Sequence, residues 1–468
     1  PTTPHYQVTY TVIMGTLYQG PPRLLQDLKV TVQDATLLFS PQESERGAMF
    51  LSNIDQVLNF DVQTIHFFTS NPAFPPKIAF KKIQNALQEL LVTYDFLAGR
   101  MKLNPETGRF ELDCKNSGIG FVVASSQYTL DELGDLVYPN PSFEQLVTKR
   151  MDDTLQVEGH PLCIVQVTAF KCEGFAMGVQ TNHATFDGIS FKYFLQNLAA
   201  VAGDKPLAMV PCNERELLAA RSPPRVTFPH PELLELKIPI GEEGENDQNP
   251  NVFENTPQDL DFKIFSLSEK DISNLKAKAK EGPTNGKGKP TGFNVVSAHV
   301  WRCKALSVDD ENNLERLSTI LFAVDIRSRL NPPLPASFTG NAVLTAYATA
   351  KCKELEEAPL SKMVDLVSEG AARMTDEYAR SAIDWGQVYK GFPHGEFLIS
   401  SWWRLGFNEV EYPWGKPKYS CPLVYHRKDI ILLFPDMDES NGGVNVLVAL
   451  PHKEMAKFEG LFYRFLSS

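Results

Sequence analysis

In the stretch Gln180-Thr181-Asn182-His183-Ala184-Thr185-Phe186-Asp187-Gly188, strand character stops at a polar histidine and helical spacing begins after the glycine. Upstream, residues 162–170 and 174–181 are apolar runs on either side of Lys171-Cys172-Glu173-Gly174, and read as two buried strands joined by a hairpin turn. Downstream, residues 188–201 carry apolar side chains at helical intervals. Strand, turn and helix in this order put the His183 imidazole at a strand end, a common place for reactive groups. From spacing alone four readings stand. His183 is a structural histidine; it is a metal ligand with Asp187 at i, i+4; it belongs to a serine or cysteine triad; or it works alone as a general base. The metal reading needs a third ligand, and no H-E-x-x-H or cysteine cluster supplies one. The triad reading needs a nucleophile, and no G-x-S-x-G turn is present.

Working outward, the same alternation of strands and helices recurs. Residues 28–39 alternate as a strand, and 77–94 have a helical apolar face behind the breaker Pro75-Pro76. Short helices are expected around Leu130 and Leu133 and over 143–151, and β-prone pieces occur at 7–13. Residues 203–260 hold nine prolines and the acidic run 241–247, and read as a linker. Beyond it come helices at 269–280 and 293–306, a strand at 317–326, one long helix over 360–380, strands at 430–434 and 444–449, and a last helix at 455–465. The chain is therefore α/β, with domains expected at 1–202 and 261–468, a crossover at 203–260, and a segment near 396–418 packing back on the first domain.

The 468 residues carry 45 Lys+Arg against 57 Asp+Glu, a net charge of −12. Such an acidic chain does not hold nucleic acid by bulk charge, so an anionic ligand needs a local basic site. The seven cysteines form no C-x-x-C pair. That argues for a reducing, cytoplasmic setting over a disulfide framework. No apolar run approaches the roughly 18 residues that span a bilayer.

His-Ala-Thr-Phe-Asp-Gly (183–188) matches the HxxxDG motif of the plant BAHD acyl-CoA-dependent acyltransferases. Further blocks follow in the order of that family: Leu51-Ser52-Asn53-Ile54-Asp55 resembles its "LSNLD", Leu97-Ala98-Gly99-Arg100 its "PLAGR", with Phe96 where Pro is usual, Val324-Asp325-Ile326-Arg327-Ser328-Arg329 its "VDxRxR", and Phe338-Thr339-Gly340-Asn341 its "YFGN". Glu411-Tyr412-Pro413-Trp414-Gly415-Lys416-Pro417 stands for "DFGWGKP", with Glu and Pro replacing Asp and Gly. The resemblance covers about residues 28–468. Glu45-Arg46-Gly47, Ala220-Arg221-Ser222-Pro223-Pro224 and Met374-Thr375-Asp376-Glu377-Tyr378 with Ser381 and Asp384 look most like hydroxycinnamoyl transferases acting on ω-hydroxy fatty acids and fatty alcohols.

The resemblance implies two chloramphenicol-acetyltransferase-like domains with a channel between them, a monomer, no metal, and acyl-CoA as co-substrate rather than a bound cofactor. It implies His183 as general base, Asp187 as a structural partner of Arg327, and Ser400 and Trp402, in Ile399-Ser400-Ser401-Trp402, as donors to the oxyanion. Without it, Trp402 is a packed aromatic and Asp187 a helix N-cap. It implies Lys289 and Thr291 as contacts to the CoA phosphates, while Lys276, Lys278 and Lys280 read as a solvated face and His299 as core. Acyl transfer to an alcohol or amine is the expected activity. A non-catalytic accessory protein on the same fold, serving lipid or specialised metabolism, is the alternative.

Overall fold

The structure, a computed structural model, describes residues 24–137, 139–151, 159–236, 259–281, 290–308, 314–423, 428–436 and 442–467. The strand expected at 7–13 lies outside them. The strands that matter for the site are β1 (Val30–Leu38), β2 (Asp61–Phe68), β3 (Ile119–Ser126), β4 (Cys163–Ala169), β5 (Phe175–Asn182), β6 (Asp261–Leu267), β7 (Leu317–Asp325), β8 (Val343–Lys351), β9 (Phe397–Ser401), β10 (Tyr419–Pro422), β11 (Ile430–Pro435) and β12 (Val444–Leu450). They form two six-stranded mixed sheets, ordered β1-β3-β4-β5-β2-β10 and β6-β12-β11-β9-β7-β8. Within the first, β3 and β4 run parallel; within the second, β9 runs parallel to both β7 and β11.

Helices cover one face of each sheet. They are α1 (Pro76–Leu90), α2 (Gly188–Ala202), α3 (Glu269–Lys278), α4 (Gly292–Ser307), α5 (Leu360–Arg373), α6 (Asp376–Val388) and α7 (His452–Ser467). Pro76 opens α1, where its missing N–H costs nothing, and Ala79, Phe80, Ile83, Leu87 and Leu90 bury one stripe. That stripe and Phe191, Phe194 and Leu198 of α2 share a core with β4 and β5. Helix α4 is buried nearly all round and lies under α5 and α7, with His299 buried against Phe462 at 4.5 Å. A third cluster holds the sheets to each other, where Ile65 and Phe67 of β2 meet Leu432, Phe434 and Leu447 of the second sheet.

Three expectations are corrected. The helix expected over 143–151 is a 3-10 turn at Pro141–Leu146 that ends where Val147 goes extended, as β-branched residues favour. The single helix over 360–380 is broken at Met374-Thr375. There the Thr375 hydroxyl accepts the Tyr378 N–H at 3.3 Å, and Arg329 takes the loose carbonyls of Ala371 and Met374. Lys278 is not on a solvated face: its Nζ donates to the Leu466 carbonyl at 2.8 Å and so closes the end of α7.

Of the segment near 396–418, residues 397–401 are β9 of the second sheet, whereas Phe407, Val410, Tyr412 and Trp414 sit in the core of the first. The strand that joins the first sheet is β10, just beyond, with Ser420 opposite His66 of β2. Tyr412 and Trp414 stack at 5.2 Å against Phe68 and Phe175, while Glu411 is exposed. The altered residues of this late motif therefore lie around a packing unit.

Candidate active site

His183 follows the last residue of β5. Its N–H donates to the Phe60 carbonyl at 2.8 Å, and its own carbonyl accepts from Asn341 Nδ2 at 2.8 Å. The ring packs edge-on to Phe60 at 5.2 Å, and its buried Nδ1 has no hydrogen-bond partner among the described residues. Burial holds the imidazole below its usual value of 6.5, the Asp187 charge opposing this only in part. The ring is therefore neutral at pH 7.

Asp187 combines both roles the sequence offered. As N-cap of α2 its Oδ1 accepts the Ser190 N–H at 2.9 Å. Arg327, just beyond β7, grips both oxygens, Nη2 to Oδ1 at 3.0 Å and Nη1 to Oδ2 at 2.9 Å. The Ala342 N–H completes the shell at 3.0 Å. Every polar site on this carboxylate is engaged, so it orients the turn. A Cβ on Gly188 would stand 2.7 Å from a terminal methyl of Leu405, which would have to swing aside to admit it.

A second clasp was not foreseen. Arg215, fully buried, donates to the carbonyls of Ala184 (3.1 Å) and Thr185 (2.7 Å), and stands 3.4 Å from Asp55. Asp55 in turn accepts from Asn341 Nδ2 at 2.7 Å. A side chain on Gly340 would collide with the Arg215 stem at 2.8 Å. Thus 51–55, 183–188, 324–329 and 338–341, separate in sequence, meet around one turn. Asp55 and Asn341 lay inside quoted motifs without a role. Arg215 lies in Asn213-Glu214-Arg215-Glu216, a charged run that looks like solvated surface.

His183 opens on a cavity of about 440 Å³, whose wall also includes Phe60, Asn341, Ser400 and Trp402. Ser400 is on β9, opposite Leu432 of β11. Trp402 follows the strand, tied by its N–H to the Leu433 carbonyl at 2.6 Å, with its ring edge-on to Phe407 at 5.4 Å. Both expected donors therefore share the cavity with His183, and Trp402 is a packed aromatic as well. Thr291 is elsewhere: exposed, it caps α4 by accepting the Asn294 N–H at 3.1 Å, beside Trp403 and Arg404. Lys289 lies outside the described residues.

The family model described as "Transferase family" matches residues 28–464. The chain belongs to this family, the BAHD acyltransferases. Among relatives, it is 60% identical over 455 residues to "Acyltransferase GLAUCE" of Arabidopsis thaliana, covering 96% of this chain and 99% of that one. It is 34% identical to the "Omega-hydroxypalmitate O-feruloyl transferase" of the same plant, over 93% of each chain. To the "Fatty alcohol:caffeoyl-CoA acyltransferase", also from Arabidopsis thaliana, it is 31% identical over 93% and 98%. Solved structures share the fold: vinorine synthase, with TM-score 0.69, 22% identity and coverage of 92% and 96%, and F. sporotrichioides TRI101 complexed with Coenzyme A and T-2, with TM-score 0.72, 16% identity and coverage of 87% and 96%. The BAHD chain thus has the two-domain, chloramphenicol-acetyltransferase-like architecture. Among its described residues no helix is long and apolar enough to cross a membrane.

Proposed function

We propose that this acyltransferase moves an aromatic acyl group, of the hydroxycinnamoyl class, from acyl-CoA to a hydroxyl or amine acceptor in a ternary complex. His183 Nε2 takes the proton as the acceptor oxygen or nitrogen attacks the thioester carbonyl. The tetrahedral oxyanion accepts hydrogen bonds from the Ser400 hydroxyl and the Trp402 indole N–H. The C–S bond then breaks, and the CoA thiolate takes the proton back from His183. No acyl-enzyme forms. General base help of this kind contributes ~10²–10⁴ in rate.

The observation that carries the reading is the neutral, half-buried imidazole of His183 at the wall of a largely apolar cavity, on a turn clamped by two buried arginines. The packing role of Tyr412 and Trp414 favours catalysis over an accessory function, because the altered Glu411 is exposed and does not line the cavity. The relatives named for feruloyl and caffeoyl transfer to ω-hydroxypalmitate and fatty alcohols support an aromatic donor and a long-chain alcohol acceptor. Thr291, the cap of α4, takes the CoA phosphates together with Lys289, two residues earlier in the sequence; a helix N-terminus favours negative charge. The protein works as a cytoplasmic monomer. Incubation with a panel of acyl-CoAs and alcohols or amines, scored for free CoA and for the ester or amide, tests the reading. Absence of transfer across the panel would refute it.

A further inference from the structure

The 203–260 crossover is riveted to α6 by the two motifs that resemble the hydroxycinnamoyl transferases. Arg221 Nε donates to Asp384 at 2.6 Å and its Nη1 to Glu377 at 2.9 Å, while the Thr227 N–H reaches Ser381 Oγ at 2.9 Å. Past this lock the chain buries His230 and Glu232. His230 bridges Ser381 Oγ (2.8 Å) and Glu232 Oε1 (3.0 Å), and the Tyr378 hydroxyl donates to the same Oε1 at 2.8 Å. Glu232 is 1% exposed, and its Oε2 has no partner among the described residues.

Glu232 is also part of the wall of the cavity that His183 lines, together with Trp385 of α6 and Phe392. Asp187, the other buried carboxylate in that wall, has both oxygens taken. A buried carboxylate oxygen without a donor bears its full desolvation cost, so a donor arriving with substrate gains what the empty site lacks. An apolar slot discriminates weakly against added or missing groups. One with a fixed polar partner discriminates strongly against the analogue that leaves the partner unmatched.

We propose that Glu232 Oε2 is a specificity anchor: it accepts a hydrogen bond from a substrate hydroxyl remote from the reacting carbonyl. Two sources carry that chemistry, the phenol of the acyl group and a second hydroxyl on the acceptor. The inference rests on the reading of His183 and its cavity as the acyl-transfer site.

Two matched pairs of substrates test it. p-Coumaroyl-CoA is compared with cinnamoyl-CoA, using 1-hexadecanol as acceptor. Hexadecane-1,16-diol is compared with 1-hexadecanol, using cinnamoyl-CoA as donor. In the wild type the hydroxylated member of one pair should lead by about tenfold or more in kcat/KM, and that pair names the source. Glu232→Gln keeps Oε1 but turns Oε2 into a donor. It should bring the ratio close to one and improve the methyl ether of the preferred substrate relative to its free hydroxyl. Should the Gln variant not fold, Glu232→Asp, with the carboxylate withdrawn by one methylene, reads the same ratio. His183-dependent turnover with no hydroxyl preference in either pair, or with a preference that survives the substitution, overturns this inference alone. A wild type that releases no CoA across the full panel of donors and of alcohol and amine acceptors overturns the acyl-transfer reading and this one with it.

Discussion

Arg327 grips Asp187 with two guanidinium nitrogens across 140 residues of chain, and through that carboxylate it holds the first turn of α2 behind His183. Both groups are nearly fully buried. Removing one leaves the other charged and unpaired, at a cost of roughly 3–5 kcal/mol. Asp187→Asn and Arg327→Met should each lose stability of this order in denaturant melts, and activity with it. The double variant should be less than additive. Strict additivity would mean that the two act independently.

His183→Ala should lower kcat/KM by at least about 10² while thermal unfolding stays close to wild type, since no side-chain hydrogen bond is lost at Nδ1. Burial depresses the His183 pKa, and the proposed base works in its neutral form. The acid limb of the kcat/KM profile should therefore fall below the ordinary histidine range, leaving activity flat through pH 7. An acid limb above pH 7 would contradict the assigned environment.

Two histidines outside the cavity predict a stability profile. His66 and His299 are buried and held down to about 3 by desolvation. The unfolded chain binds protons at these sites near 6.5 and the folded chain does not, so stability is fully present above pH 6.5 and drains away as pH falls toward 3. Each histidine contributes up to about 1.4 kcal/mol per pH unit within that window. His299→Leu should flatten the decline of the melting temperature between pH 6 and 4, measured by calorimetry. An unchanged slope would remove His299 from the account.

Phosphate contacts act equally in ground and transition states. Lys289→Ala should therefore raise the acyl-CoA KM with little change in kcat, leave the acceptor KM in place, and weaken the salt dependence of donor binding. Lys280→Ala, at an exposed position beyond α3, is the control. A donor KM that responds to Lys280 and ignores Lys289 would relocate the CoA site.

The strands and helices around His183 were legible because their apolar periodicity is strong and proline and glycine bound them. Strand β2 was not, because Gln63, Thr64 and His66 break the pattern. They are nonetheless buried: Gln63 pairs with Gln180 and His66 with Ser420 across the sheet, and the Thr64 hydroxyl meets the His66 ring. Polar residues satisfied by distant partners carry no local signal. Arg215 failed for the same reason: its partners, the carbonyls of Ala184 and Thr185, lie 31 and 30 residues away. Glu232 was hidden in a proline-rich stretch that composition marks as a connector. The Asp187–Arg327 pair was accessible through its motifs, whereas the capping of α2 followed from Asp before a helix alone.

Strand β10 completes the first sheet from a position far along the second half of the chain, where Tyr419–Pro422 pairs with β2. A gene divided within the crossover would thus not yield two self-sufficient fragments. The N-terminal piece would present β2 as an open edge, prone to pairing with other chains. It would also lack the aromatic plug of Tyr412 and Trp414. Soluble material should appear only when both pieces are made together, and the two should co-purify without a covalent link, a property that lends the scaffold to fragment-complementation reporters.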